Sequence, residues 1–287
     1  MRNSLSFSSY GEGELNMNLY QAIFKRKSVR KYSREKLTDM CFKQIKKVID
    51  DIEGLFDIEI NINVIEEGRK IYKVMNGLIG NIGKISAPHY LVVTSEKKDG
   101  YLVNGGYMLE EVVLKLTEMG IGTCWLGGHL ERKDVNHLID IPNEHEVLFM
   151  VSFGYPIERN NLYRENIEEI KREDIAELVV NYEKVRGNSK MEELLSAIRV
   201  APSAANSQPW RFKVDDNTLH IFRKEQGFIK KRFLGKINLV DIGISLKHLE
   251  IAAHYQRRLV KFNFYKNIEV EKNNLNYIIS TDLFEEK

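Results

Sequence analysis

Two stretches of this chain, 106–119 and 240–255, are so rich in apolar residues that a helix formed by either must be buried on most sides. Setting Gly106 on Gly243 places Leu109 on Leu246, Val112 on Leu249, Leu114 on Ile251 and Leu116 on Ala253. Gly120 then falls on Arg257, and each run reads as a buried helix followed by an apolar strand. Upstream, FKQIKKVIDD from Phe42 phases onto MEELLSAIRV from Met191 with the apolar positions in register. Any two amphipathic helices can be phased in this way, so the repeat gains weight only where the chemistry of the two halves agrees with it. At 287 residues the chain has length for roughly two domains or one large one.

The composition excludes several classes. Hydrophobic residues make up 43% and aromatics 10%, too much for a disordered chain. Lys and Arg number 43 against 41 Asp and Glu, so a net charge of +2 offers no bulk field for a polyanionic partner. Two cysteines, Cys41 and Cys124, can form neither a disulfide framework nor a four-thiolate metal site, and they fit a reducing cytoplasm, the expected location. No window approaches the ~18 consecutive apolar residues of a membrane-spanning helix, so no membrane is expected. Residues 1–18 lack the apolar core of a signal peptide and read as a flexible N-terminal arm.

Periodicity predicts a short helix over 19–25, a helix from an N-cap at Thr38 to about Asp51, and an alternating, half-exposed strand over 58–64. A helix from about Arg69, buried strands over 88–94 and 147–153, and an amphipathic, charged helix over 166–180 follow. The polar stretch 181–190 (NYEKVRGNSK) reads as a linker. Beyond it lie a helix over 191–200, a loop over 201–209, a hairpin of 210–214 and 219–222, and a strand over 259–264. The expected units are therefore 19–180 and 191–287, the second shortened.

Three segments carry chemistry. Lys25, Arg26, Lys27, Arg30, Lys31 and Arg34 crowd one short string. A charge run is more often a solvated face, but Ser28 between Arg26 and Arg30 sets a hydroxyl beside guanidiniums that bind phosphate in bidentate fashion. The loop Ala201-Pro202-Ser203-Ala204-Ala205-Asn206-Ser207-Gln208-Pro209-Trp210 is a poor helix and a poor strand. Its Ser, Asn and Gln could read the edge of a planar heterocycle, or satisfy their own backbone in Asx and Ser turns. The third segment, Gly120-Ile-Gly-Thr-Cys-Trp-Leu-Gly-Gly128, matches neither G-x-G-x-x-G nor G-x-x-x-x-G-K-[ST]. Its glycines permit close backbone approach to a ligand, or simply a cap, a short strand and a turn. His129, His137 and His145 lie in no H-E-x-x-H pattern, so no metal is expected, and no G-x-S-x-G recommends a hydrolase.

Together, R-K-S-V-R, A-P-S-A-A-N-S-Q-P-W and G-I-G-T-C-W-L-G-G resemble the nitroreductase family of FMN-dependent, NAD(P)H-linked oxidoreductases over nearly the whole chain. Gly154-Tyr-Pro156 followed by Arg164 resembles the family's C-terminal phosphate-side segment. The resemblance implies an α+β fold, a mixed sheet flanked by helices, with FMN sites shared between two intertwined units. Carried over by position, it implies that Arg26, Lys27, Ser28 and Arg30 hold the phosphate and ribityl end and that Arg164 adds a phosphate contact. Pro202, Ser203, Asn206 and Gln208 would reach the flavin from the opposite side, with Trp125, Leu126, Gly127 and Gly128 beside the ring. Asn81 and Lys84, in an N-x-x-K spacing, would reach the ribityl and pyrimidine edge.

The chain departs from the family pattern. Its first unit reads Asp51-Ile-Glu-Gly-Leu-Phe56 where the Pro-Ser-Asn-Gln loop belongs, and its second has that loop but neither R-x-S-x-R nor G-I-G-T-C-W. The expectation is a fused pseudo-dimer of two diverged half-copies, with about one FMN per chain and no need of a second chain. The implied activity is a ping-pong transfer of electrons from NAD(P)H to a nitroaromatic, quinone or similar small acceptor. No side chain is expected to be catalytic, because the flavin carries the chemistry. Two other readings stand beside this one: a flavin-binding or regulatory protein without turnover, and a nucleic-acid-binding module using the Lys25 to Arg34 cluster, which the near-neutral charge disfavours.

Overall fold

Strand β2 (His89–Glu96) contains Tyr90-Leu91-Val92-Val93 without a polar break, the pattern of a strand covered on both faces. The computed structural model describes residues 17–75, 84–126, 130–225, 235–266, 268 and 274–286, and it supplies both covers. Tyr90 and Val92 pack with Ile71 and Met75, at α3 (Gly68–Val74) and its cap. Leu91 and Val93 pack on the other side with Phe42 and Ile45 of α2 (Asp39–Asp50) and Leu109 and Val112 of α4 (Tyr101–Glu118). Thr38 caps α2 by accepting from the Cys41 N–H. With β1 (Ile60–Ile65), β3 (Gly122–Leu126) and β4 (His145–Gly154), β2 forms an antiparallel sheet of order β1-β2-β4-β3. Short helices α1 (Leu19–Lys25), α5 (Arg132–Val135) and α6 (Ile175–Leu178) lie outside it.

A second antiparallel sheet is built from β5 (Trp210–Asp215), β6 (Thr218–Lys224), β7 (Arg258–Asn263) and β8 (Leu275–Glu285), in the order β5-β6-β8-β7. Helices α7 (Ser189–Arg199) and α8 (Ile237–Tyr255) share its core, Leu194, Ile198, Leu246 and Ala252 packing with Phe212, Ile221 and Ile279. Isolated parallel bridges at Ser28–Thr123 and Val179–Phe212 make the strand pairing mixed.

The second sheet repeats the first. Strands β5, β6, β7 and β8 follow the order of β1, β2, β3 and β4, with α8 placed as α4 is. The irregularity recurs as well: Leu148 is the extra residue where the β2–β4 register slips, and Ile278 where the β6–β8 register slips. Both long helices end on a left-handed residue, Gly120 at φ 72 and Arg257 at φ 57.

Helices α4 and α8 cross at two glycines. A Cβ on Gly106 would lie 2.2 Å from the Val240 carbonyl oxygen, and one on Gly243 would lie 2.0 Å from that of Val103. Each glycine meets the residue three before the other, the reciprocity of a twofold contact. Beyond the crossing, Glu110 Oε1 lies 3.0 Å from His248 Nε2, and Lys247 Nζ lies 2.8 Å from Glu111 Oε2. In the register of the repeat these positions also exchange reciprocally, but one helix carries two acids and the other two bases. Two copies of α4 in this arrangement would bury carboxylate against carboxylate, so each helix complements the other and not itself.

One expectation changes. Residues 166–180 do not form a helix; only a 3-10 turn at Ile167–Glu169 and α6 are helical. Side chains prevail over periodicity here, because Glu169 accepts from the Glu165 and Asn166 amides and Arg172 and Glu173 are tied to the 200–208 region. The expected linker 181–190 packs against the second unit: Val185 is fully buried and Asn181 exchanges two hydrogen bonds with Val214. Of the expected arm, 1–16 lies outside the described residues, and Asn18 caps α1 in a capping box with Gln21. Among the described residues no helix is long and apolar enough to cross a membrane.

The crossing has a direct test. Gly106→Ala or Gly243→Ala forces a methyl against backbone, and either is expected to lower unfolding free energy by about 2 kcal/mol or more, measured by denaturant titration.

Candidate functional site

The basic string becomes a clamp because α1 stops at it. Arg26 caps α1 in an extended conformation, and the chain then runs between β3 and the segment after β4. Val29 donates its N–H to the Thr123 carbonyl at 2.9 Å, while Arg26 pairs with Tyr163 and Tyr32 with Pro156 as single bridges. Gly122 makes this possible, since a Cβ there would come within 2.6 Å of Val29 Cγ2. Arg164 is fixed from both ends, its N–H on the Lys25 carbonyl at 2.8 Å and its Nη1 on the Phe24 carbonyl at 3.0 Å. Glycines of the G-I-G-T-C-W segment therefore serve a helix cap and a strand contact.

The Pro-Ser-Ala-Ala-Asn loop is strained. Ala205, Asn206 and Gln208 all adopt left-handed backbone, with φ of 49, 54 and 43, a region that residues other than glycine enter at a cost. Surrounding bonds hold it. Gln208 N–H donates to Ser203 Oγ at 3.0 Å, and Ala204 N–H donates to Asp241 Oδ1 at 3.0 Å. Ser207 Oγ reaches Asn238 Oδ1 at 3.1 Å and Asp241 Oδ2 at 3.4 Å. Burial, opposed by those loop donors, pushes the Asp241 carboxyl up to about 7.

Clamp and loop face each other across one cavity of about 520 Å³, lined among others by Arg26, Ser28, Arg30, Arg164, Pro202 and Asn206. It joins the two units, since the clamp precedes α2 and the loop precedes β5. Segment 169–172 supplies another wall, and with it a residue the motif reading missed. Arg172 donates to Asn206 Oδ1 and to the carbonyls of Val200 and Ala201, the last at 3.1 Å, yet its buried Nε has no hydrogen-bond partner among the described residues. Burial and then the charge of Arg26 lower the proton affinity of Arg164 and Arg172, each to about 10. The guanidiniums remain charged at neutral pH and repel one another, so an anion in this cavity would relieve them. Only the proximity of Arg172 to Arg164 in sequence could have signalled it.

Of the expected site residues, Arg26, Lys27, Ser28, Arg30, Arg164, Pro202, Ser203 and Asn206 line this cavity. Lys27 also pairs with Glu169 at 3.2 Å. Gln208 is instead buried behind the loop, accepting from the Glu173 N–H at 2.8 Å. Trp125 and Leu126 stand on β3 outside the lining; the Trp125 indole N–H donates to Glu110 Oε2 at 2.9 Å. Lys84 lies apart, over the Tyr72 ring. Asn81, Gly127 and Gly128 fall outside the described residues. No group of His, Cys, Asp and Glu suited to a metal occurs among the described residues.

Paired α+β units with a cationic cavity between them define a protein of nitroreductase architecture. The family model described as "Putative TM nitroreductase" matches residues 18–253, and the chain belongs to that family. Its fold is similar to that of a "putative nitroreductase" from Thermotoga maritima, with a TM-score of 0.57, 22% identity and 95% of each chain covered. An FMN-dependent nitroreductase of Clostridium difficile shares 21% identity over 58% of this chain and 97% of its own, at a TM-score of 0.41. A nitroreductase of Bacteroides fragilis with bound FMN shares 20% identity over 49% and 89%, at 0.42. No curated protein matches the chain.

The raised carboxyl of Asp241 gives a pH dependence with a definite sign. The folded state holds this proton more tightly than the unfolded state, so the group's favourable contribution is full below about pH 4 and is lost as pH rises through about 7. Asp241→Asn does not titrate. Calorimetry from pH 5 to pH 8 is expected to show the wild type losing stability relative to the variant.

Proposed function

We propose that the chain is an FMN-dependent oxidoreductase that takes electrons from NAD(P)H and passes them to a nitroaromatic, a quinone or a similar small acceptor. The composite cavity carries this reading: guanidiniums from the first unit stand opposite the Pro-Ser-Ala-Ala-Asn loop of the second. The donor set suits a phosphate, with Arg26, Arg164 and Arg172 crowded together and the Arg172 Nε–H lacking an acceptor among the described residues. Bound FMN would supply the two-electron chemistry, and the chain's part is to bind, orient and tune. Arg26, Lys27, Ser28, Arg30, Arg164 and Arg172 hold the phosphate and ribityl end. Pro202, Ser203 and Asn206 present the opposite wall. Trp125, anchored on Glu110 and packed against Phe149, fixes the end of β3. Gln208 acts one step back, by holding the segment that carries Arg172.

The repeated strand order, the shared bulge and the reciprocal glycine contact support a fused pseudo-dimer. Its second site lacks the motif residues: Phe56 stands in the first unit's loop and stacks on Phe264 at 5.9 Å, and the sequence register of the repeat aligns Phe264 with Gly127. One FMN per chain follows, in a cytoplasmic protein that builds its site without a second chain. A nucleic-acid surface is disfavoured because Arg26 and Arg164, 4% and 3% exposed, lie inside a concavity rather than on a face.

The visible spectrum of the purified protein tests cofactor and stoichiometry together. One flavin per chain is expected; two overturn the asymmetric reading, and none after incubation with FMN overturns the cofactor. Arg26→Ala and Arg172→Ala are each expected to weaken FMN binding by about tenfold or more, the scale of a lost charge-assisted bond; melting temperature is expected to change little for Arg26→Ala and to fall for Arg172→Ala, which also loses bonds to the 200–206 segment. NAD(P)H oxidation with a quinone acceptor separates an enzyme from a flavin carrier without turnover, and steady turnover is the expected result.

A further inference from the structure

Three left-handed residues within four positions are held from several sides, by Ser203 within the loop and by the 171–173 segment, and the residues that flank them in the turn, Ala204 and Ser207, both bond one side chain of α8. Asp241 is buried, and its two oxygens take the Ala204 N–H and the Ser207 hydroxyl from opposite ends of the strained turn. The repeat supplies an internal comparison. In the register that sets Gly106 on Gly243, position 241 corresponds to Asn104 on α4. Asn104 performs the same task on the first unit's loop, accepting from the Leu55 N–H at 2.6 Å and the Phe56 N–H at 3.2 Å and donating to the Phe56 carbonyl at 3.2 Å. The two helices therefore brace equivalent loops from equivalent positions. The copy whose loop faces the cationic cavity has a carboxyl whose two oxygens meet two converging donors, and the copy whose loop has lost that chemistry has an amide that both donates and accepts.

We propose that Asp241 is the positioning residue of the cofactor-facing loop, holding Ala205 and Asn206 in the conformation that forms the cavity wall; this role rests on the function proposed above. It contributes through the loop and touches no reacting atom. Asn104 is the matched control, a brace of the same construction on a loop with no cofactor to face.

Amide hydrogen exchange over 203–208, FMN dissociation constants and melting temperatures, measured on the full chain for Asp241→Ala, Asp241→Asn and Asn104→Ala, decide the matter. Asp241→Ala is expected to raise exchange over 203–208 and to weaken FMN binding, each by about tenfold or more, as for one lost bond to a charged group. Asp241→Asn, which keeps an acceptor for the Ala204 N–H, is expected to recover most of both. Asn104→Ala is expected to lower melting temperature while leaving the FMN constant within about twofold. If Asp241→Ala does not fold, Ser207→Ala removes one of the two donors from the loop side and is expected to loosen the same segment by a few-fold. The proposal is overturned if exchange over 203–208 is unchanged, or if Asn104→Ala weakens FMN as much as Asp241→Ala does. Should the wild type take up no FMN, the cofactor reading falls on its own, and the exchange measurement still decides whether Asp241 braces the loop.

Discussion

The approach of α4 and α8 at Gly106 and Gly243 is the constraint on which the rest of this molecule depends. Backbone meets backbone there, with no room for a methyl group on either helix. Each helix also backs its own sheet, so their separation and angle place the first sheet relative to the second. The consequences reach the cavity by two routes. From α4 the chain turns at Gly120 into β3, on which the clamp is laid through Val29 and Thr123. From α8, Asp241 and Asn238 reach the loop on the opposite wall. Clamp and loop face each other because the two helices cross where they do.

Polar groups buried along this interface tie the halves together chemically. Glu110 accepts from Trp125 on its own unit and lies 3.0 Å from His248 Nε2 of the other, while His248 Nδ1 donates to the Ala197 carbonyl of α7. Lys247 is held between Glu111 and Glu250 and lies over the Tyr107 ring at 3.6 Å. Removing one member of such a set strands a buried partner, which costs more than the bond itself contributes. The connecting segment adds a third tie. Arg172 grips the loop, Glu173 receives Arg199 and Arg211, and Gln208 receives the Glu173 amide. Segment 165–174 is thus a strap across the boundary between units, and its polar side chains hold it extended where periodicity alone favours a helix.

Much of this was legible in residue patterns because the signals are local. Tyr90-Leu91-Val92-Val93 can only be a strand buried on both faces. Thr38 before an amphipathic run starts a helix, and Arg26, Ser28 and Arg30 after a short helix are residue types suited to a phosphate. The Gly106–Gly243 phasing was also legible, although its meaning was not: the same alignment that any two helices permit turns out to mark a contact at which each glycine faces the other helix's backbone. Less accessible were residues whose part depends on distant partners. Gln208 reads like its neighbours Ser203 and Asn206, yet it faces backward, because Glu173 is drawn to that side of the loop. Arg172 sits in no motif and reaches the cavity only because the strap passes there.

By itself the sequence determined the duplicated helix–strand pattern and the motif sets, since period and spacing are properties of neighbouring residues, and the α+β class followed from the family resemblance those motifs carry. Tertiary structure alone decided that the long helices meet as a reciprocal pair, that clamp and loop line one cavity, and that Asp241 and Arg172 bond the strained loop. Those outcomes depend on which groups end up within hydrogen-bond reach across tens of residues, and no local period records that.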